Sequence, residues 1–546
     1  MSLTSLPFAL FVIISAIIYF IFPLKNYRWV ILLAASGFFY VYNSFQYSAF
    51  IVVSIITVYL AALRIDAINA GTKALLKSKK EEWSREERKA YKEKSDNRRK
   101  CILAACLVFN FGILFMLKYF NFLSESIASM TGGAAESAPH IRLLLPLGIS
   151  FYTFISTGYL IDVYRETASP EKNIFKFALF VSFFPHIVQG PISSFTKLHD
   201  QLITPHDLNW LNFKQGIMNI FWGLFKKLVV ADTAWIAIKA YYANGGINGS
   251  EGFKAYGGTM VLFICLLYAL QLYADFSGGI DISRGICRIL GIDLEVNFRQ
   301  PYFSRSIGEY WRRWHITLGA WMKNYVFYPI AMSSFSAKVS KGIASSGFGK
   351  TPAGKHIAKV LMTAVASFIV FLLVGIWHGA NSKYIGFGVW NGAIIMLSAL
   401  LGPVYESSKK ALHIRDDAVW WRLFQMIRTF VIVLVGYVFD IADNFTNAIQ
   451  MIKRMLLDQD KALFMNQLGS LGLRKIQYLA IIFGACVMLY ISVRLEKTSL
   501  DTPGELLEKR NGLIQWLALF ALIMATLLLG TYGPEFEASE FIYMGF

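Results

Sequence analysis

The run KVLMTAVASFIVFLLVGIWHGAN, Lys359–Asn381, decides the fold class. From Lys359 to Trp377 it spans about 19 residues, or about 28 Å at helical rise, almost without a polar side chain, which is the thickness of a bilayer core. His378 closes it, and another apolar segment begins after the short polar patch Gly379–Lys383. An ionisable side chain at membrane depth is costly to desolvate, and such residues mark functional sites more often than other positions in a span.

Runs of the same kind recur from Leu3 to Gly530, with no sizeable polar block between them. Of the 546 residues 55% are hydrophobic and only 16% charged, and the mean hydropathy is +0.47. These values exclude an ordinary soluble protein and predict an all-α polytopic membrane protein, a single integral domain over 1–546. We expect roughly eleven or twelve crossings plus re-entrant and interfacial helices. The first run, Leu3–Phe22, lacks a basic leader and a cleavage site, so it is expected to be a retained span.

The net charge of +18 would suit a nucleic-acid binder, but in a polytopic protein Lys and Arg gather in cytoplasmic loops beside anionic headgroups. Arg64–Lys100 carries 13 Lys or Arg against 7 Asp or Glu and is assigned to the cytoplasm, with a solvated surface helix over EEWSREERKAYKEK. Alternation from that loop places both termini outside the cytoplasm, at the plasma membrane. No nucleic acid is expected. The five cysteines show neither a disulfide framework nor metal-ligand spacing, so no metal is expected.

Several segments depart from the plain-span pattern. Ile174–Ile192 holds Pro185 and Gly190-Pro191, which break a helix ladder that lipid cannot satisfy, so a broken or re-entrant helix is predicted. Phe213–Tyr242 has Lys226-Lys227 at its middle and reads as partly interfacial. Ala331–Lys359 reads as a flexible basic loop; its Gly347-Phe348-Gly349-Lys350-Thr351 lacks the first glycine of a phosphate-binding loop, since position 344 is alanine. Asp275 is expected at a helix end or in a polar core.

Chemistry is expected between about residues 273 and 392. In the run YWRRWHITLGAWMKNY, Tyr310–Tyr325, continuous helical spacing would place Trp311, His315 and Gly319 on one face. His315 is therefore the second candidate beside His378. Arg312 or Arg313 can grip a phosphate bidentately, as a phosphorylated thioester donor would require. Each arginine is read equally well as part of an interfacial Arg-aromatic belt, and His378 as a span-end histidine bonded to a backbone carbonyl. No Gly-x-Ser-x-Gly or other nucleophile motif is present, but direct transfer, with a histidine deprotonating the acceptor hydroxyl, needs no nucleophile. A transporter of polymer or lipid is the alternative from another class. Against it stand the lack of internal repeats and of paired broken helices.

Four blocks carry a family resemblance: Asn297-Phe298-Arg299-Gln300-Pro301-Tyr302, Tyr310-Trp311-Arg312-Arg313-Trp314-His315, Trp377-His378-Gly379-Ala380-Asn381 and Phe541-Ile542-Tyr543. Together they resemble the membrane-bound O-acyltransferase family, in the bacterial branch of alginate O-acetylation and teichoic-acid D-alanylation. The resemblance implies helices around a funnel and transfer of an acyl group, acetyl or alternatively D-alanyl or a longer chain. The donor would be a cytoplasmic thioester, acetyl-CoA or an acyl carrier protein, with no bound cofactor. The acceptor would be a hydroxyl on an exported polymer, reached directly or through a membrane-anchored or secreted partner. It also implies that His378 is the catalytic histidine and His315 the second one; from their chemistry and their places beside these histidines, Trp311, Arg312, Arg313 and Asn324 are expected toward the donor and Trp377 and Asn381 in support. Relatives often carry Arg-Asp-Tyr where this chain has Lys323-Asn324-Tyr325.

Overall fold

The computed structural model describes all residues except 132–138, 141–144, 188, 244–255, 460 and 534–546. The closing Phe541-Ile542-Tyr543 block and the acidic tail beyond Gly533 lie outside the described residues. Everything regular among the described residues is helix, apart from one isolated antiparallel bridge between Phe298 and Trp314.

Among the described residues eight helical stretches are long and apolar enough to cross a membrane; the first of them, Lys25–Ser78, holds two α-helices, Arg28–Ser44 and Ser48–Ser78, and Leu6–Ile21 adds a shorter apolar one. Many of them turn large apolar side chains outward, as Ile13, Ile17 and Ile21 do on the first helix, whereas Gly258–Ile289 is mostly buried. That is the arrangement expected when the surrounding solvent is hydrocarbon.

The chain forms two compact units, one of residues 1–217 with 283–295 and the other of residues 218–282 with 296–546. In the first unit, Arg85–Met130 is one 46-residue helix started by a capping box between Ser84 and Glu87. The charged surface helix and the following span are therefore a single element. The predicted break after Ile174 is present: a helix ends at Ser182, and a single turn, Phe184–Ile187, follows it.

The second unit corrects three expectations. Ala331–Lys359 is not a flexible loop, because Ser334–Ser345 and the start of Pro352–His378 are helical, capped by Ser333 and Thr351. Lys226 and Lys227 are buried rather than interfacial, in a π-helical segment Phe225–Ala231. The Lys227 ammonium lies 2.6 Å from Asp275 and 2.9 Å from Asp232, and Lys226 lies 2.5 Å from Asp281. Asp275 and Asp281 from the facing helix, with Asp232 at the end of the same segment, compensate charges that would otherwise be too costly to bury. Asp275 is accordingly a polar-core residue within helix Gly258–Ile289.

The third correction concerns the Trp-His run. It is not one continuous helix. Ile307–Arg313 ends at Trp314, and His315, at φ +46°, is the cap of a new helix, Ile316–Met322. Trp311, His315 and Gly319 thus do not share one helical face.

Candidate active site

His378 is the last residue of helix Pro352–His378, which runs against helix Ser382–Leu400. Two glycines set that pairing. A Cβ on Gly375 would come within 2.3 Å of the Tyr384 carbonyl oxygen and 2.9 Å of the Gly388 Cα. With no side chains there, the backbones close up, and His378 lies 5.1 Å from the Phe387 ring and 6.1 Å from Tyr384, centroid to centroid. His378 is half-buried.

Asn381 begins the second of these helices. Its side-chain oxygen accepts from the Lys383 backbone N–H at 3.1 Å, and its amide donates to the Asp443 carbonyl at 3.0 Å. It therefore fixes the turn that follows His378 rather than the imidazole itself.

His315 sits in a different kind of place. Residues 297–299 and 313–316 pair as a short antiparallel ladder: Arg299 N–H donates to Arg313 O, and Ile316 N–H to Asn297 O, both at 3.0 Å. The chain reverses beside this ladder at Gln300 and at His315, both in the left-handed region. A non-glycine residue there costs about 1–2 kcal/mol, so the surrounding contacts must hold it. They include the buried Asn297 side chain, whose Oδ1 accepts from the Thr317 N–H at 3.0 Å and the Thr317 hydroxyl at 2.9 Å. The His315 Nδ1 lies 3.3 Å from the same oxygen. Phe276 packs edge-on to the imidazole at 4.8 Å. Burial, and next the nearby His378, push the His315 imidazole down to about 3.

The two histidines meet at Trp377, whose ring lies 6.2 Å from His315 and 5.2 Å from His378. Two residues 63 positions apart (378 − 315) thus share one indole.

Trp311 reaches the same neighbourhood from helix Ile307–Arg313. Its indole N–H donates to Asn391 Oδ1 at 3.2 Å, and its ring packs 5.0 Å from Phe371 and 6.1 Å from Phe387. Trp311 and Phe371 also line a cavity of about 410 Å³ with Gly308, Arg312, Gly319 and Lys323. Arg312 forms no ion pair among the described residues and lines a second, polar cavity of about 630 Å³ as well. Of these two cavities Arg313 lines the polar one, and it is already engaged, 2.8 and 3.0 Å from Glu496 and 2.9 Å from Glu309. Those hydrogen bonds, above all to Glu496, hold its guanidinium above the usual arginine range. Asn324 lies exposed in the π-helical turn Lys323–Phe327, next to the cavity-lining Lys323. The asparagine that meets a histidine is Asn297, which spacing alone did not single out.

Among the described residues no cluster of His, Cys, Asp and Glu could hold a metal ion. What the geometry assembles is a buried histidine, a half-buried one and an indole between them, with an open, cation-rimmed cavity nearby.

Comparison with known proteins agrees. Residues 163–346 match the family model of MBOAT, the membrane-bound O-acyltransferase family. A probable alginate O-acetylase of Pseudomonas aeruginosa is 30% identical over 434 residues, covering 79% of this chain and 70% of that one. The chain belongs to the membrane-bound O-acyltransferase family. A peptidoglycan O-acetyltransferase of Helicobacter pylori is 27% identical over 86% of this chain and 83% of its own length. A teichoic acid D-alanyltransferase of Bacillus subtilis is 24% identical over 59% and 73%. This membrane-bound O-acyltransferase is accordingly an enzyme of acyl transfer to hydroxyls, with several membrane spans, and a transporter reading is set aside.

Proposed function

We propose that this enzyme moves an acetyl group from a cytoplasmic thioester to a hydroxyl of an extracytoplasmic polysaccharide. The meeting of His315 and His378 across Trp377 carries the reading. Acetyl is preferred to D-alanyl because the relatives sharing most identity over most of the chain are O-acetylases.

The cavity beside Trp311 is the donor's approach. Arg312 and Lys323 at its rim suit the phosphates of a coenzyme or of a carrier's pantetheine arm, and its apolar wall of Trp311 and Phe371 suits the acyl-bearing arm. Asn324, one residue from Lys323, lies near that rim. Arg313, engaged by two glutamates, shapes the wall of the polar cavity instead.

His378 is the general base. Its imidazole takes the proton of the acceptor hydroxyl as that oxygen attacks the thioester carbonyl carbon; the carbon–sulfur bond breaks, and the sulfur leaves as a thiol with the proton. Trp377 and Phe387 flank the imidazole with apolar rings, which limits the water that could hydrolyse the thioester. The acceptor arrives from the extracytoplasmic side, directly or handed on by a membrane-anchored or secreted partner, and both termini lie on that side.

Mass spectrometry of the cell-surface polymers tests the proposal. Removing this chain should erase O-acetyl groups from one polysaccharide, and restoring it should return them. Unchanged acetylation of every surface polymer would overturn it, and loss of D-alanyl esters alone would replace acetyl by D-alanyl.

A further inference from the structure

Asn297 and His315 lie 18 positions apart and are joined by one buried contact. The sense of that contact can be worked out from atoms whose roles are fixed. The Thr317 backbone N–H can only donate, and it points at one atom of the Asn297 amide at 3.0 Å. That atom must be the oxygen, because an NH2 group there would set donor against donor. The Thr317 hydroxyl at 2.9 Å is free to rotate and donates to the same oxygen.

His315 Nδ1 faces this oxygen at 3.3 Å with both groups buried. A bare Nδ1 would place its lone pair against the oxygen's lone pairs in a low-dielectric setting, whereas an Nδ1–H makes a hydrogen bond. The proton of the neutral ring therefore sits on Nδ1, and the lone pair sits on Nε2.

We infer that Asn297 is a positioning residue that fixes His315 as the Nδ1–H tautomer, so that His315 acts at the site as a hydrogen-bond acceptor through Nε2. This rests on the acyl-transfer reading only for its catalytic meaning; the tautomer itself is a property of the resting protein. Two roles follow. His315 cannot present an N–H at Nε2 to steady a developing oxyanion while the ring is neutral. It can accept a hydrogen bond from the attacking hydroxyl or from a group beside it, and so orient that hydroxyl toward the base, His378.

Asparagine and aspartate separate positioning from mere packing. Asn297→Asp keeps the accepting oxygen and places a negative charge beside the ring, which favours the protonated imidazole. Asn297→Leu removes the acceptor at similar volume.

The test uses the full-length protein in nanodiscs, labelled with 15N-histidine, with the His315 signals assigned by their loss in His315→Gln. The wild type should show a pyrrole-type Nδ1 and a pyridine-type Nε2 for His315. The reverse pattern, with the proton on Nε2, would overturn the inference whether or not the chain acetylates anything. In pH–rate profiles of acetyl transfer, Asn297→Asp should keep activity within about tenfold of wild type and move the acidic limb to higher pH. Asn297→Leu should lose activity by about a hundredfold. If Asn297→Asp left the acidic limb unmoved while its folded yield stayed normal, Asn297 would be a packing residue only. Where Asn297→Leu fails to fold, the tautomer measurement on the wild type still decides.

Discussion

His315 and His378 are the same side chain in opposed settings. His378 ends a long apolar helix, and its neighbours are rings: Trp377, Tyr384 and Phe387. Its position follows from the length of the helix and from glycines that draw the next helix close. His315 caps a helix at a left-handed residue and is held by a polar clamp from a distant segment. One histidine is placed by packing, and the other by hydrogen bonds. Packing leaves the His378 ring half-buried, within reach of a substrate, whereas the clamp seals His315 and dictates which nitrogen carries its proton. A general base needs the first kind of freedom, and a fixed acceptor needs the second kind of restraint.

The sharpest way to break this comparison is to delete each imidazole in turn. His378→Ala should lower acetyl transfer by about a thousandfold or more, because the base is removed and water cannot easily take its place. His315→Ala should lower it by about a hundredfold, and the double variant should be little worse than His378→Ala alone, since the two act on one proton path. Initial rates on purified, correctly inserted protein would decide. Equal and fully additive losses would mean that the two residues serve separate steps.

Much of this site could be read from the chain, and what could not has a physical reason. The helix before His378 is legible because a span has a fixed length and a uniform composition, so its end is fixed once its start is known. The break at His315 is not, because Trp311, His315 and Gly319 at four-residue spacing look like one helical face. The break comes from pairing with residues 297–299, and no local pattern encodes a partner that far away. Lys226 and Lys227 mislead for the same reason. Two adjacent cations read as interfacial, until Asp275 and Asp281, on another helix, turn out to compensate them. Arg312 and Arg313 are neighbours with equal claims in the sequence, and it is Glu309, one turn before Arg313, together with Glu496, 183 positions on, that separates them.

That separation gives the next test. Arg312→Gln should raise the donor KM about tenfold, the loss expected for one charge-assisted hydrogen bond to phosphate, with kcat little changed and folding unaffected. Arg313→Gln should leave the donor KM within about twofold and instead cost about 1 kcal/mol of stability, since it strands Glu309 and Glu496 at a partly exposed site. The two readouts together tell a substrate contact from a structural one. If Arg313→Gln carried the KM effect and Arg312→Gln did not, the donor would enter through the larger polar cavity and not beside Trp311.

The smallest expected effect concerns pH and stability. Burial holds the His315 imidazole down to about 3 in the folded protein, against about 6.5 in an unfolded chain. The unfolded state therefore binds the extra proton first. Above about pH 6.5 both states are neutral at this ring and it contributes no slope; as pH falls from about 6.5 toward 3, the unfolded state is favoured and stability declines. Thermal unfolding in nanodiscs between pH 7.5 and pH 5 should show that decline in the wild type. It should be shallower in His315→Gln, which removes the titrating group while keeping a polar side chain of similar reach. His378→Gln serves as the comparison, because it removes a half-buried imidazole and leaves the sealed one in place. Equal slopes in the two variants would mean that the clamp opens on protonation and that His315 is no more sealed than His378.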